Sequence, residues 1–270
     1  MRQRSTVGHS LQREHQHENA NLEHHIIWAH QGGQHFWNGA PGGGHVFDGQ
    51  MSMVEDYKPT DRRPIASRER KFWQRIATFL AAHQVSPNFI SVAGMIVGIA
   101  AGFLLAATRF AESGWLQRSV WIAAGIGIQL RLIANMLDGM VAIAAQRAYP
   151  LGELYNELPD RVSDAAIIIG AGYSAGGLPT LGYVATCVAI LTAYVRAVGK
   201  AAGASNLFVG PMAKPHRMFI LIIIALLMAA LPQGWQPSWG ARHAGLPAIG
   251  LGLIIVGGMV TILWRLSSLS

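Results

Sequence analysis

Asn135, Asp138 and Ala142 stand at i, i+3 and i+7, and Asn156, Asp160 and Asp164 stand at i, i+4 and i+8. Each set shares one face of a helix. Carboxylate and amide oxygens are the donors that hard divalent cations take, and ligands from two facing helices are how a bundle builds a site for them. Asn135 with Asp138 on one helix, and Asn156 with Asp160 on the next, are therefore candidate metal ligands. The residues between the two sets, with Arg147, Tyr149, Pro150 and Gly152, have the turn chemistry to reverse the chain and bring the faces together.

This stretch resembles the signature of the CDP-alcohol phosphatidyltransferases, membrane enzymes that move a phosphatidyl or similar group from a CDP-linked donor to an alcohol. The family pattern D-x2-D-G-x2-A-R-x8-G-x3-D-x3-D falls, with every spacing kept, on Asn135, Asp138, Gly139, Ala142, Ile143, Gly152, Asn156 and Asp160. Asparagine replaces the first and third aspartates, and Ile143 replaces the arginine. An amide carbonyl ligates a hard cation but brings no charge, so the two asparagines predict weaker metal binding in a retained geometry.

The resemblance implies a phosphotransferase that uses Mg²⁺ or Mn²⁺, two ions in all, with a CDP-linked lipid such as CDP-diacylglycerol as donor and CMP as product. It implies that Asp160 helps deprotonate the acceptor hydroxyl, that Gly139 and Ala142 lie beside the nucleotide, and that Gly152 supplies the turn. Arg147 lies one turn beyond Ile143 and can replace the missing arginine, and Asp164, one turn beyond Asp160, restores part of the lost negative charge. Arg196, Lys200, Lys214, His216 and Arg217 are predicted at the same membrane face as substrate-binding groups, since Arg and Lys suit phosphates. Arg131, about two turns deeper than Asp138, is expected to face the bundle interior as the partner of a buried carboxylate.

The elements that must position these groups are membrane spans. With 51% hydrophobic and 13% charged residues and a mean hydropathy of +0.29, the chain reads as a polytopic all-α membrane bundle. Its net charge of +7 comes from Lys and Arg scattered over loop ends, without the aromatic-interleaved basic run of single-strand binders, so no nucleic-acid partner is predicted. Six apolar stretches, about residues 89–108, 119–142, 160–177, 179–199, 216–231 and 246–264, are long enough to span, the third and fifth being short. With a cytoplasmic N-terminus, the inside segments hold thirteen Lys and Arg against three outside, Arg109, Arg118 and Arg242. The positive-inside rule then puts both termini and the predicted site on the cytoplasmic side, in the cell (inner) membrane.

Three segments are predicted. Residues 1–53 carry eight of the eleven histidines (9, 15, 17, 24, 25, 30, 35 and 45) and almost no apolar periodicity, which predicts a disordered tail. The imidazoles offer metal ligands but lack Cys or carboxylate partners, and the change of composition at Met51 and Met53 makes either an alternative start. Residues 54–85 form a basic and then amphipathic segment with Phe72, Ile76, Phe79 and Leu80 on one face, as in a helix lying at an anionic lipid surface. Residues 86–270 are the six-helix membrane domain, introduced by Ser86-Pro87-Asn88 and holding the single Cys187, read as a buried apolar residue. The resemblance also admits a homodimer. Two competing readings are a family member that binds CDP-lipid or metal but turns over poorly, motivated by the asparagines, and a small transporter, which would more usually place its polar groups near the bilayer midplane.

Overall fold

The computed structural model describes residues 71–145, 150–203, 210–232, 235–240 and 243–268, with 150–156 as backbone only. The predicted histidine tail, the basic run before Lys71, Arg147, Arg242 and the Asn156 side chain lie outside these described residues. Seven α-helices follow one another among them: α1 Lys71–Ala82, α2 Pro87–Ala107, α3 Gly114–Ala144, α4 Pro150–Tyr173, α5 Pro179–Ala201, α6 Lys214–Ala230 and α7 Leu246–Ser267. A short 3-10 turn, Thr108–Phe110, extends α2. A lone antiparallel bridge, Trp239 to Ala244, is the extent of β pairing among the described residues.

Proline marks the starts. It occupies the first or second position of α2, α5, α6 and α7 and opens α4; there its missing N–H is one the helix would leave unbonded anyway. For the same reason α4 begins at Pro150, about ten residues before the predicted third span. This corrects the reading of Gly152 as a turn residue, for it lies in the first turn of α4.

The bundle is all-helical and apolar. The α2 segment Pro87–Phe110, α3, α5 and α7 are each long and apolar enough to cross a membrane. α6 has 17 residues, and α4 carries Glu157, Asp160, Arg161 and Asp164 within its length, so neither meets the same standard.

α2 packs along both α3 and α4, whereas α3 and α4 touch each other little. A glycine stripe makes this crossing tight. A Cβ on Gly102 would stand 2.3 Å from the carbonyl oxygen of Ala166, and one on Gly170 would stand 2.2 Å from that of Gly102, so the two backbones are in contact. α5 packs on α4 and α7, and α6 on α3. Leu105, Trp121, Ile128, Ile167, Ile168, Leu251 and Ile254 fill the shared core. At the α2 C-terminal end, Gln117 Nε2 donates to the Thr108 carbonyl (3.1 Å) and Ala175 N donates to Thr108 Oγ1 (3.0 Å), tying the ends of α2, α3 and α4 together.

The outside of the bundle is apolar, as lipid contact requires. Phe110, Trp115 and Trp235, all more than two-thirds exposed, form an aromatic fringe at the Thr108 end. Cys187 is exposed on α5, which corrects its reading as a buried residue. α1 packs on α3 through its buried Ala77, while Phe72 and Phe79 point outward.

Candidate active site

The sequence at the C-terminal half of α3 repeats a polar residue nearly every turn, Arg131, Asn135 and Asp138, and the fold turns this face toward α4 and α2. Arg131 is 1% exposed. Its Nη2 donates to Asp160 Oδ1 on α4, and its Nε donates to Ser163 Oγ at 2.7 Å. Ser163 is fixed in turn, donating to the Pro159 carbonyl at 2.8 Å. Asn135, with its amide nitrogen turned to α4, donates to both Asp160 oxygens at 3.1 and 3.2 Å. Lys214 of α6 completes the set, its Nζ 2.7 Å from Asp160 Oδ1. Asp160 is thus held by donors from two neighbouring helices.

Asp138 is buried as well, and its partner comes from the first long helix. Ser91 Oγ donates to Asp138 Oδ2 at 2.7 Å, and the backbone N–H of Gly139 lies 2.6 Å from Oδ1. Ser91 opens the buried face of α2 that continues through Gly94, Gly98 and Gly102. Sequence reasoning missed it. The available signal was the glycine stripe at 94, 98 and 102, whose face includes Ser91, three residues before Gly94.

A second cluster lies beside the first. Asp164 Oδ1 is 3.4 Å from Lys214 Nζ, and its Oδ2 is 3.4 Å from Arg217 Nη2. Arg217 is 2% exposed and also donates to the Met212 carbonyl at 3.1 Å, leaving its Nε buried without a partner among the described residues. Glu157 receives Arg161 of its own helix and Arg196 of α5. Arg161, Asp164, Thr186 and Arg217 line a small cleft between these clusters. The loop before α6 is seated on α7, where Met212 N donates to Thr261 Oγ1 at 2.9 Å, and this fixes the start of α6 and so Lys214 and Arg217.

Several residues singled out in the sequence lie apart from these contacts. Lys200, in the last turn of α5, and His216, in the first turn of α6, are exposed. Ala142 is half-buried one turn after Asp138, and Ile143 is exposed.

The donor set suits a hard cation in kind: two carboxylates and an amide from facing helices. Among the described residues no group of three or more His, Cys, Asp and Glu side chains is arranged around a common point. Amides hold two of the four motif positions, so a cation here would rest on Asp138 and Asp160, with Asn135 beside them.

Comparison with known proteins bears on the same region. No family model matches the chain. Two archaeal proteins called archaetidylinositol phosphate synthase are similar to it: that of Pyrococcus horikoshii at 26% identity, over 66% of this chain and 84% of that one, and that of Aeropyrum pernix at 29%, over 60% and 80%. Among solved structures, the phosphatidylinositol phosphate synthase PgsA1 of Mycobacterium tuberculosis with CDP-DAG bound superposes with a TM-score of 0.59 at 17% identity, covering 74% of this chain and 94% of that one. The chain is thus similar in sequence to phosphatidyl-transfer synthases and shares the fold of PgsA1. The inner membrane protein YnbA of Escherichia coli is 25% identical over 63% of this chain and 78% of its own length, in keeping with an integral membrane protein.

Proposed function

We propose that this chain transfers a phosphatidyl or other substituted phosphate group from a CDP-linked donor such as CDP-diacylglycerol to an alcohol, releasing CMP, in phospholipid biosynthesis. The observation that carries this reading is that Asn135, one turn before the buried Asp138 on α3, reaches the Asp160 carboxylate of α4, a helix that α3 barely touches, at one end of an apolar bundle. A crystal structure of PgsA1 in complex with manganese and citrate, 18% identical with a TM-score of 0.57 over 73% of this chain and 88% of that one, supports a divalent cation as cofactor.

Asp138, Asp160 and Asn135 would hold Mg²⁺ or Mn²⁺. When bound, such an ion offsets the charge that gathers on the CMP leaving group. The chain's own residues do the rest. Asp160 takes the proton of the acceptor hydroxyl as its oxygen bonds to the donor phosphorus and the bond to CMP breaks. Ser91 and the Gly139 N–H keep Asp138 in one rotamer. Lys214 and Arg217, near the cleft, are placed to meet phosphate oxygens. The names of the two archaeal relatives and of PgsA1 favour a phosphorylated polyol, inositol phosphate first, as the acceptor. The six helices α2 to α7 all cross the inner membrane in this reading, with both termini and the site cytoplasmic.

The test is direct. Purified protein in detergent is given labelled CDP-diacylglycerol, Mg²⁺ or Mn²⁺ and a panel of alcohols including glycerol phosphate, inositol, inositol phosphate and serine. CMP release that depends on both metal and an alcohol supports the reading; no CMP release with any of them refutes it.

A further inference from the structure

The carboxylate of Asp160 is held unevenly. Oδ1 receives Arg131 Nη2 and the Lys214 ammonium at 2.7 Å, and shares the Asn135 amide at 3.1 Å. Oδ2 receives only the Asn135 amide, at 3.2 Å, among the described residues. Arg131 has little freedom to do otherwise. It is 1% exposed, its Nε is fixed on Ser163, and Gly94 leaves the space its Nη1 occupies, where a Cβ would stand 3.0 Å away. A guanidinium is a planar fork with donors at set angles, so anchoring Nε on Ser163 aims the neighbouring Nη2, on the same edge, at one oxygen of Asp160.

We propose that Arg131 is a positioning residue that saturates Oδ1 of Asp160 and leaves Oδ2 as the oxygen that works, an inference that rests on the role given to Asp160 above. Arg131 then serves turnover while opposing metal. It orients the carboxylate toward the acceptor, yet its charge and its hold on Oδ1 compete with a cation for the same group. A side chain that only stabilised the fold would affect both quantities in the same direction.

Arg131→Gln removes the charge and keeps a hydrogen-bonding side chain. The expected result is a kcat lowered by about 30-fold or more with KM for the donor within about threefold, and Mn²⁺ binding, followed by isothermal calorimetry on the detergent-solubilised protein, tightened by about three- to tenfold. Arg131→Lys keeps the charge but not the fork, so kcat should fall about five- to tenfold while Mn²⁺ affinity stays near that of wild type. Should Arg131→Gln not fold, the Lys variant decides alone. Either variant with wild-type kcat overturns the proposal. So does Arg131→Gln with unchanged or weaker Mn²⁺ affinity at an unfolding midpoint close to wild type. Because calorimetry needs no turnover, a wild-type protein that binds Mn²⁺ but releases no CMP from any donor would refute the proposed function, and the calorimetric comparison would still judge Arg131.

Discussion

Asn135 lies one turn before Asp138, and its amide lies 3.1 and 3.2 Å from the two oxygens of Asp160. Asn135→Asp changes a donor into a second anion at that distance. Two unit charges about 3.2 Å apart repel by about 5 kcal/mol at an effective dielectric of about 20. The pair can escape by binding a proton, which for a carboxylate at pH 7 costs about 4 kcal/mol. Arg131 and Lys214 offset part of the repulsion, and loss of the amide hydrogen bonds adds to it, which leaves a net cost of about 2–4 kcal/mol in chelator. In a bundle of this size that lowers the unfolding midpoint by roughly 5–12 °C. With Mn²⁺ the sign turns, because the new carboxylate is an additional ligand, and a ligand that binds only the folded state raises its stability. The assay is thermal unfolding of wild type and variant in one detergent, in EDTA and across a Mn²⁺ series. The variant should start lower and gain more. A variant as stable as wild type in EDTA would show that the Asn135 amide does not hold Asp160, and one that starts lower without the larger Mn²⁺ gain would show that position 135 does not face the cation.

Asp138→Asn and Asp160→Asn should each lower CMP release by at least about 100-fold, since each removes one of the two motif carboxylates; turnover within about tenfold of wild type in either would refute the role of that residue. Ser91→Ala removes a charge-assisted bond worth about 1.5–3 kcal/mol and should lower kcat by about tenfold or more with expression intact, as read in the same assay. Gly102→Val forces a side chain against the Ala166 backbone and should destabilise by about 3 kcal/mol or more, whereas Gly252→Ala, with nothing within 4 Å of the new Cβ, should leave the unfolding midpoint within about 2 °C of wild type or raise it.

Helical spacing made Asp138 and Asp160 legible, because residues one turn apart share a face whatever the fold around them. Apolar length likewise located α2, α3, α5 and α7, the four helices long and apolar enough to cross a membrane, and overlapped α4 and α6 in part. The partners were not legible in the same way. Ser91 reaches Asp138 across 47 residues, and no local pattern encodes that pairing. Spacing assigned Asn135 to the metal face but could not tell a carbonyl ligand from an N–H donor, which depends on where Asp160 points. The turn at Gly152 was misread because glycine and proline signal both a reversal and a helix start, and Pro150 here does the second. Cys187 was misplaced because its neighbours are apolar on every side, so composition does not say which face of α5 meets lipid.

The pairing of Arg131 with Asp160 also bears on how the chain is made. Arg131 lies in α3 and its carboxylate arrives 29 residues later, on α4. A nascent chain that has released α2 and α3 but not α4 therefore carries a guanidinium without its Asp160 partner inside the bilayer, a costly state. The glycine stripe of α2 is meanwhile exposed, shaped to receive α4. Insertion of α4 relieves the charge and fills the groove in one event, so the polar half of α4, too hydrophilic to partition by itself, is drawn in by the helices already there. Seating of the Asp160 carboxylate and completion of the α2–α3–α4 unit are then the same step of biogenesis.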